Sequence, residues 1–206
     1  MFTHILGASL TLQSVLTKSF VADPGLAHLF GMGGSSVVSL ATPDGMEAAG
    51  VTGLSMWLYR LIRDEQTLNR PARQVAPNLI RRQPLPVRLH YLMTPILTGA
   101  ASGTPAPESE QLIVGRVLQT FHDEPLITGA DLQGSYAGTA LELAVRLETL
   151  GLDETSRIWE GLERSYQLSV SYEVSIVVIA SALGALSATP VASVQAEYVV
   201  GHPEVA

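Results

Sequence analysis

The sequence predicts a single α/β (α+β) domain in which a mixed, mostly antiparallel sheet is packed by a few helices. Three observations carry this. Residues 85–93 alternate, with Leu85, Val87, Leu89, Tyr91 and Met93 on one side and Arg88, His90 and Leu92 on the other, which is the period of a strand. Residues 108–124 then change to helical spacing, with Glu108 and Glu110 in the first turn, where the helix dipole favours acids, and Pro125 as a stop. Residues 166–179 return to the strand period, Leu168, Val170, Tyr172, Val174 and Ile176 opposing Gln167, Ser169, Ser171, Glu173 and Ser175, as in an antiparallel strand with one face covered.

Taken in order, residues 3–22 form a first helix with an apolar stripe of Ile5, Leu6, Leu10, Leu12, Val15, Leu16 and Phe20, closed by Asp23-Pro24-Gly25. Gly31, Gly33 and Gly34 invite comparison with a phosphate loop, but the Gly-Lys-Ser/Thr ending is missing and the glycines precede a strand, so the stretch reads as a connector. Residues 37–43 make a short strand ended by a Pro43-Asp44-Gly45 turn. Residues 54–69 make a long strand, Leu54, Met56, Leu58, Arg60 and Ile62 alternating with Ser55, Trp57, Tyr59, Leu61 and Arg63; dense aromatic and branched residues favour strand over helix. Residues 69–83 form a loop that carries Arg70, Arg73, Arg81 and Arg82. A connection of that length in a compact domain is usually functional. After the central strand and helix, joined by a small-residue linker at 98–107, come a turn region at 129–136, a half-buried strand at 139–147, and a helix opening at Asp153 that turns Ile158, Trp159 and Leu162 inward. The domain is assigned to residues 1–181. Residues 182–206 are a C-terminal extension containing one further strand, Val194 to Val200, whose alternate residues Val194, Ala196, Tyr198 and Val200 suit addition to a partner's sheet edge.

Composition limits the function. Hydrophobic residues make up 47% and charged residues 15% of the 206, against about 25% charged in ordinary soluble domains. That deficit points to surface covered by partners. The net charge of −7 comes without a basic block, which argues against a dedicated nucleic-acid binder. The basic residues that cluster are arginines, with Lys18 the sole lysine, a mix suited to meeting carboxylates on a partner surface. The absence of cysteine removes disulfides and thiolate metal sites and permits a reducing compartment. The N-terminus has no basic n-region or cleavage pattern of a secretory signal. Residues 174–196 are uncharged and long enough to span a bilayer, but their serines, Pro190, strand-like start and lack of basic flanks disfavour it.

No nucleophile elbow occurs, and the histidines, His4, His28, His90, His122 and His202, show no metal-ligand spacing. His122-Asp123-Glu124-Pro125 is read as helix-end capping material. No catalytic residue, cofactor or metal is expected.

The wording of several stretches, in order, is more specific. SMWLYRLIRDEQTLN, LPVRLHYLMT, LIVGRVLQTFHDEPLI, ELAVRLETLGLDETSRIWEGLE and YQLSVSYEVSIVVI together resemble the tail-terminator, or cap, proteins of extracellular contractile injection systems, the phage-tail-like particles typified by the antifeeding prophage and the virulence cassettes. The resemblance covers residues 3–181. It implies a phage tail-terminator-like fold and a structural role: six copies in a ring that ends the inner tube and the contractile sheath, sets particle length and anchors the last sheath ring. It further implies a protein assembled in the cytoplasm and then carried as part of the particle, with itself, sheath and tube as partners, and it supplies no catalytic residues. The partner-facing residues expected are Arg70, Arg73, Arg81 and Arg82, with Val194, Ala196, Tyr198 and Val200 of the extension. The competing readings are a small α/β hydrolase or ligand-binding domain, which needs a deep polar pocket around His90 and His122, and a membrane-associated adaptor using residues 174–196.

Overall fold

The structure is a computed structural model that describes residues 2–67, 73–76, 78–97 and 106–187. Arg70, the 98–105 linker and the segment bearing Val194, Ala196, Tyr198 and Val200 lie outside the described residues.

A six-stranded sheet forms the frame, in the order β1 (Val37–Ser39), β2 (Gly53–Arg63), β5 (Leu85–Ile96), β8 (Val170–Ile179), β7 (Leu143–Leu147), β6 (Leu126–Ile127). Every pair is antiparallel except β1 with β2. Helices α1 (His4–Ala22) and α4 (Ala106–Asp123) pack on one face. Their buried Leu12, Leu16, Phe20, Ile113, Val117 and Phe121 meet Val87, Leu89, Tyr91 and Met93 of β5 in one core. Burying side chains of this size contributes about 1.5–3 kcal/mol each, so the α1/α4 face is where the domain gains most of its stability. The predicted stripe of α1 is confirmed at Leu12, Val15, Leu16 and Phe20, while Leu6 is exposed.

Some polar groups inside this core find partners, whereas the buried Tyr136 hydroxyl has none among the described residues. Tyr91 places its hydroxyl 2.8 Å from Ser9 Oγ, and burial pushes its pKa up to about 12. Gly7 lets the 3-10 turn Gly134–Tyr136 close on α1, since a Cβ there would stand 2.6 Å from Ser135 Oγ and 2.8 Å from the Tyr136 ring.

Several elements differ from the sequence reading. Pro43-Asp44-Gly45 opens a helix, α3 (Pro43–Ala48), because Thr42 caps it by accepting from the Gly45 N–H at 3.2 Å and proline is favourable in a first turn. β2 stops at Arg63, where buried Asp64 takes over the chain. Its alternation breaks at a bulge between Leu58 and Arg60, which places Leu61 and Arg63 on the helix-covered side with Met56 and Leu58, and Arg60 and Ile62 on the other. A second register shift turns Val177 into the core after Val174. β8 begins at Val170, later than expected, and its residues 174–179 are strand, which removes the helical span that the membrane reading requires. Among the described residues α1 is the helix long and apolar enough to cross a membrane, and it forms part of the core described above.

The 69–83 loop is partly ordered sheet. β3 (Gln74–Ala76) and β4 (Leu79–Ile80) make a hairpin, and β9 (Leu186–Ser187), the start of the C-terminal extension, pairs with β4 to complete a separate three-stranded sheet. Helix α5 (Leu152–Gly161) buries Trp159, as predicted, and the chain just beyond it is tied to α3 by an ion pair between Arg164 and Glu47.

Candidate partner-binding surface

The small sheet gathers unlike residues into one platform. Arg81 N–H donates to the Arg73 carbonyl at 2.9 Å, closing the hairpin, and Arg82 Nε donates to the Gly184 carbonyl at 3.1 Å, fastening the hairpin to the extension. Between them lies a concavity of about 730 Å³ lined by Arg73, Val75, Arg81, Arg82, Val178 and Leu183. Apolar side chains stand exposed on and beside it: Val75, Leu79, Leu85, Leu183 and Leu186, with Leu183 at 66%. Among the described residues no carboxylate pairs with Arg73, Arg81 or Arg82. Exposed leucines beside planar guanidinium groups that meet no carboxylate among the described residues form the chemistry of a protein interface that accepts a partner's carboxylates and apolar side chains together.

Three of the four arginines singled out from the sequence thus come together, beside the start of the predicted adhesive extension. The apolar members, Val75, Leu79, Leu183 and Leu186, were missed. Their signal was weak: each is an isolated apolar residue in a segment rich in turn formers, and only the pairing of β4 with β9 across more than a hundred residues places them side by side.

A second concavity, about 800 Å³ and largely apolar, lies between the end of α4 and β7, lined by Leu118, Phe121, His122, Val145, Leu147 and Tyr172. His122 therefore belongs to the helix side of the sheet. His90, opposite Glu173 and Arg60 in register, belongs to the other side. The sheet separates the two histidines, so the shared pocket that a hydrolase reading needs is not formed.

His90 sits instead in a polar row across β2, β5 and β8. Its Nδ1 lies 2.8 Å from Glu148 Oε1, and Glu148 Oε2 accepts from Ser171 at 2.6 Å and Tyr59 at 3.5 Å. Burial raises the Tyr59 pKa. Beside it Arg88 joins Glu173 at 3.3 Å and the fully buried Asp64 at 2.6 Å. Asp64 also accepts from the Thr67 hydroxyl at 2.5 Å and backbone N–H at 3.2 Å, and these bonds, with Arg88, hold its carboxyl below the usual range against the opposing effect of burial. Donor atoms of His90, Glu148 and Glu173 converge within 4.8 Å, the spacing of a metal site. Each carboxylate already has protein donors, so the row reads as an ion-pair and hydrogen-bond ladder that fixes strand register, although the buried His90 Nε2 has no partner among the described residues.

The fold built on this sheet and its two core helices is shared with solved tail terminators. The structure superposes on a sheath/tube terminator of a PVC extracellular contractile injection system in its extended state with a TM-score of 0.59 at 16% identity, covering 97% of this chain and 64% of that one. It superposes on the tube-terminating cap of the anti-feeding prophage with a TM-score of 0.55 at 17% identity, covering 89% and 59%. Residues 8–193 match the Pvc16 N-terminal domain, and the chain belongs to that family. It spans about three-fifths of the length of the two solved chains. No curated protein sequence matches it.

Proposed function

We propose that this chain is a non-enzymatic terminator, a cap that closes the inner tube and contractile sheath of a phage-tail-like injection particle as a ring of six copies, sets its length and holds the last sheath ring. The fold shared with two terminators and the family membership support the class. The observation that carries the role is the arginine and leucine platform of the small sheet, which is built for adhesion and lies apart from the stabilising core. Arg73, Arg81 and Arg82 face tube or sheath carboxylates there, Arg70 belongs to the same segment, and the extension with Val194, Ala196, Tyr198 and Val200 supplies further contacts. A ring follows when the contact between unlike surfaces of neighbouring copies closes on itself. The protein assembles in the cytoplasm and leaves with the particle.

Gold labelling of an epitope-tagged chain on purified particles tests this. Label confined to one end of each particle is the expected result. Label along the whole sheath, or particles without label, contradicts it.

A further inference from the structure

β2 is eleven residues long, but β1 pairs only with Gly53, Leu54 and Ser55. From Met56 to Arg63 the strand is bonded to β5 on one side and meets no further strand on the other among the described residues. An unpaired row of N–H and C=O groups is a template for another strand. The row is rimmed by Arg60 and Arg63, both exposed, neither paired with a carboxylate among the described residues. Such charges turn away a neutral or basic strand and admit an acidic one. The two faces of the edge also differ: Leu58 and Leu61, the latter 46% exposed, point with the helix side, and Arg60 with the other.

One segment of this chain matches that edge in length, charge and alternation. Residues 194–200, Val-Gln-Ala-Glu-Tyr-Val-Val, carry Val194, Ala196, Tyr198 and Val200 in one row and Gln195, Glu197 and Val199 in the other. Added along β2, the first row lies beside Leu58 and Leu61 and the second puts Glu197 on the side of Arg60. The segment follows Ser187, which β9 fixes on β4, by a tether that spans roughly 20–24 Å at full extension.

We propose that residues 194–200 of a second copy add as an edge strand to Met56–Arg63. Donor and acceptor are different surfaces, so each copy gives one strand and receives one, the head-to-tail contact from which rings are made. The choice of a second copy rests on the ring reading above, but its test does not require particles.

The chain has no cysteine, so disulfide mapping is free of background. Leu61→Cys is mixed in turn with Ala196→Cys, Tyr198→Cys and Val200→Cys under mild oxidation, with Leu152→Cys on α5 as the exposed control for Leu61→Cys. A disulfide-linked dimer well above control is expected from at least one mixture. Arg60→Glu should lower its yield about tenfold, and Glu197→Arg in the donor should restore it. Control-level linkage in every mixture, or linkage found only within a single chain carrying both cysteines, overturns the proposal. Either result leaves the terminator reading to stand or fall by end-labelling.

Discussion

Asp64 shows how one carboxylate can hold a strand end. It is buried, bonded to Thr67 and to Arg88, and its pKa is lowered. A group whose folded pKa lies below its unfolded value stabilises the fold above the ordinary carboxylate range and loses that contribution as pH falls through the folded value. Asp64→Asn should therefore cost about 3 kcal/mol in urea unfolding at neutral pH, the scale of breaking a buried ion pair, and the difference from the unaltered chain should shrink once the pH falls below the ordinary carboxylate range. At His90 the prediction is a null shift. Because Glu148 is already committed to His90, Ser171 and Tyr59, excess zinc should leave the thermal midpoint unchanged, whereas a bound ion would raise it with concentration. Neither arrangement was legible beforehand. Arg88 and His90 were visible as polar positions on a strand, but their partners Asp64, Glu148 and Glu173 come from other segments and only cross-strand register joins them.

Elements with strong local signals were found where expected, α1, α4, α5, β5, β7 and β8 among them, but their periods hold only in part: Leu141, before the start of a shorter β7, and Leu147, at its end, are exposed, and β8 changes register after Val174. Elements that depend on distant partners were not. β3, β4 and β9 are three, two and two residues long, with no period to detect, so the small sheet looked like loop and tail. The face swap in β2 was equally hidden, since a bulge leaves no mark in composition. β1 and β2 meet at Gly53, whose φ of 132° and absent Cβ, which would stand 2.0 Å from the Val37 carbonyl oxygen, make glycine obligatory there. Gly53→Ala should detach β1 and lower stability by roughly 2 kcal/mol, as chemical unfolding reads it. The platform predicts the opposite division of effects. Arg73→Glu with Arg81→Glu should leave the unfolding midpoint within about 0.5 kcal/mol of the original, as exposed charge changes do, and should abolish retention on purified particles in a sedimentation assay.

At the scale of the whole molecule, low charge fits a protein finished by its neighbours, as do, among the described residues, exposed leucines beside arginines without carboxylate partners and an open sheet edge. The sequence resemblance anticipated the family and fold that structure and comparison then showed. The sixfold ring, the sheath contact and the extension's role go beyond both and rest on the adhesive surfaces described above. The role proposed for this chain is to end a growing tube and sheath. Its most direct test is the length distribution, by electron microscopy, of particles assembled without the chain. Tubes or sheaths of uncontrolled length, restored to a narrow distribution when the chain is supplied again, are the predicted result. An unchanged narrow distribution with stable sheaths would contradict it.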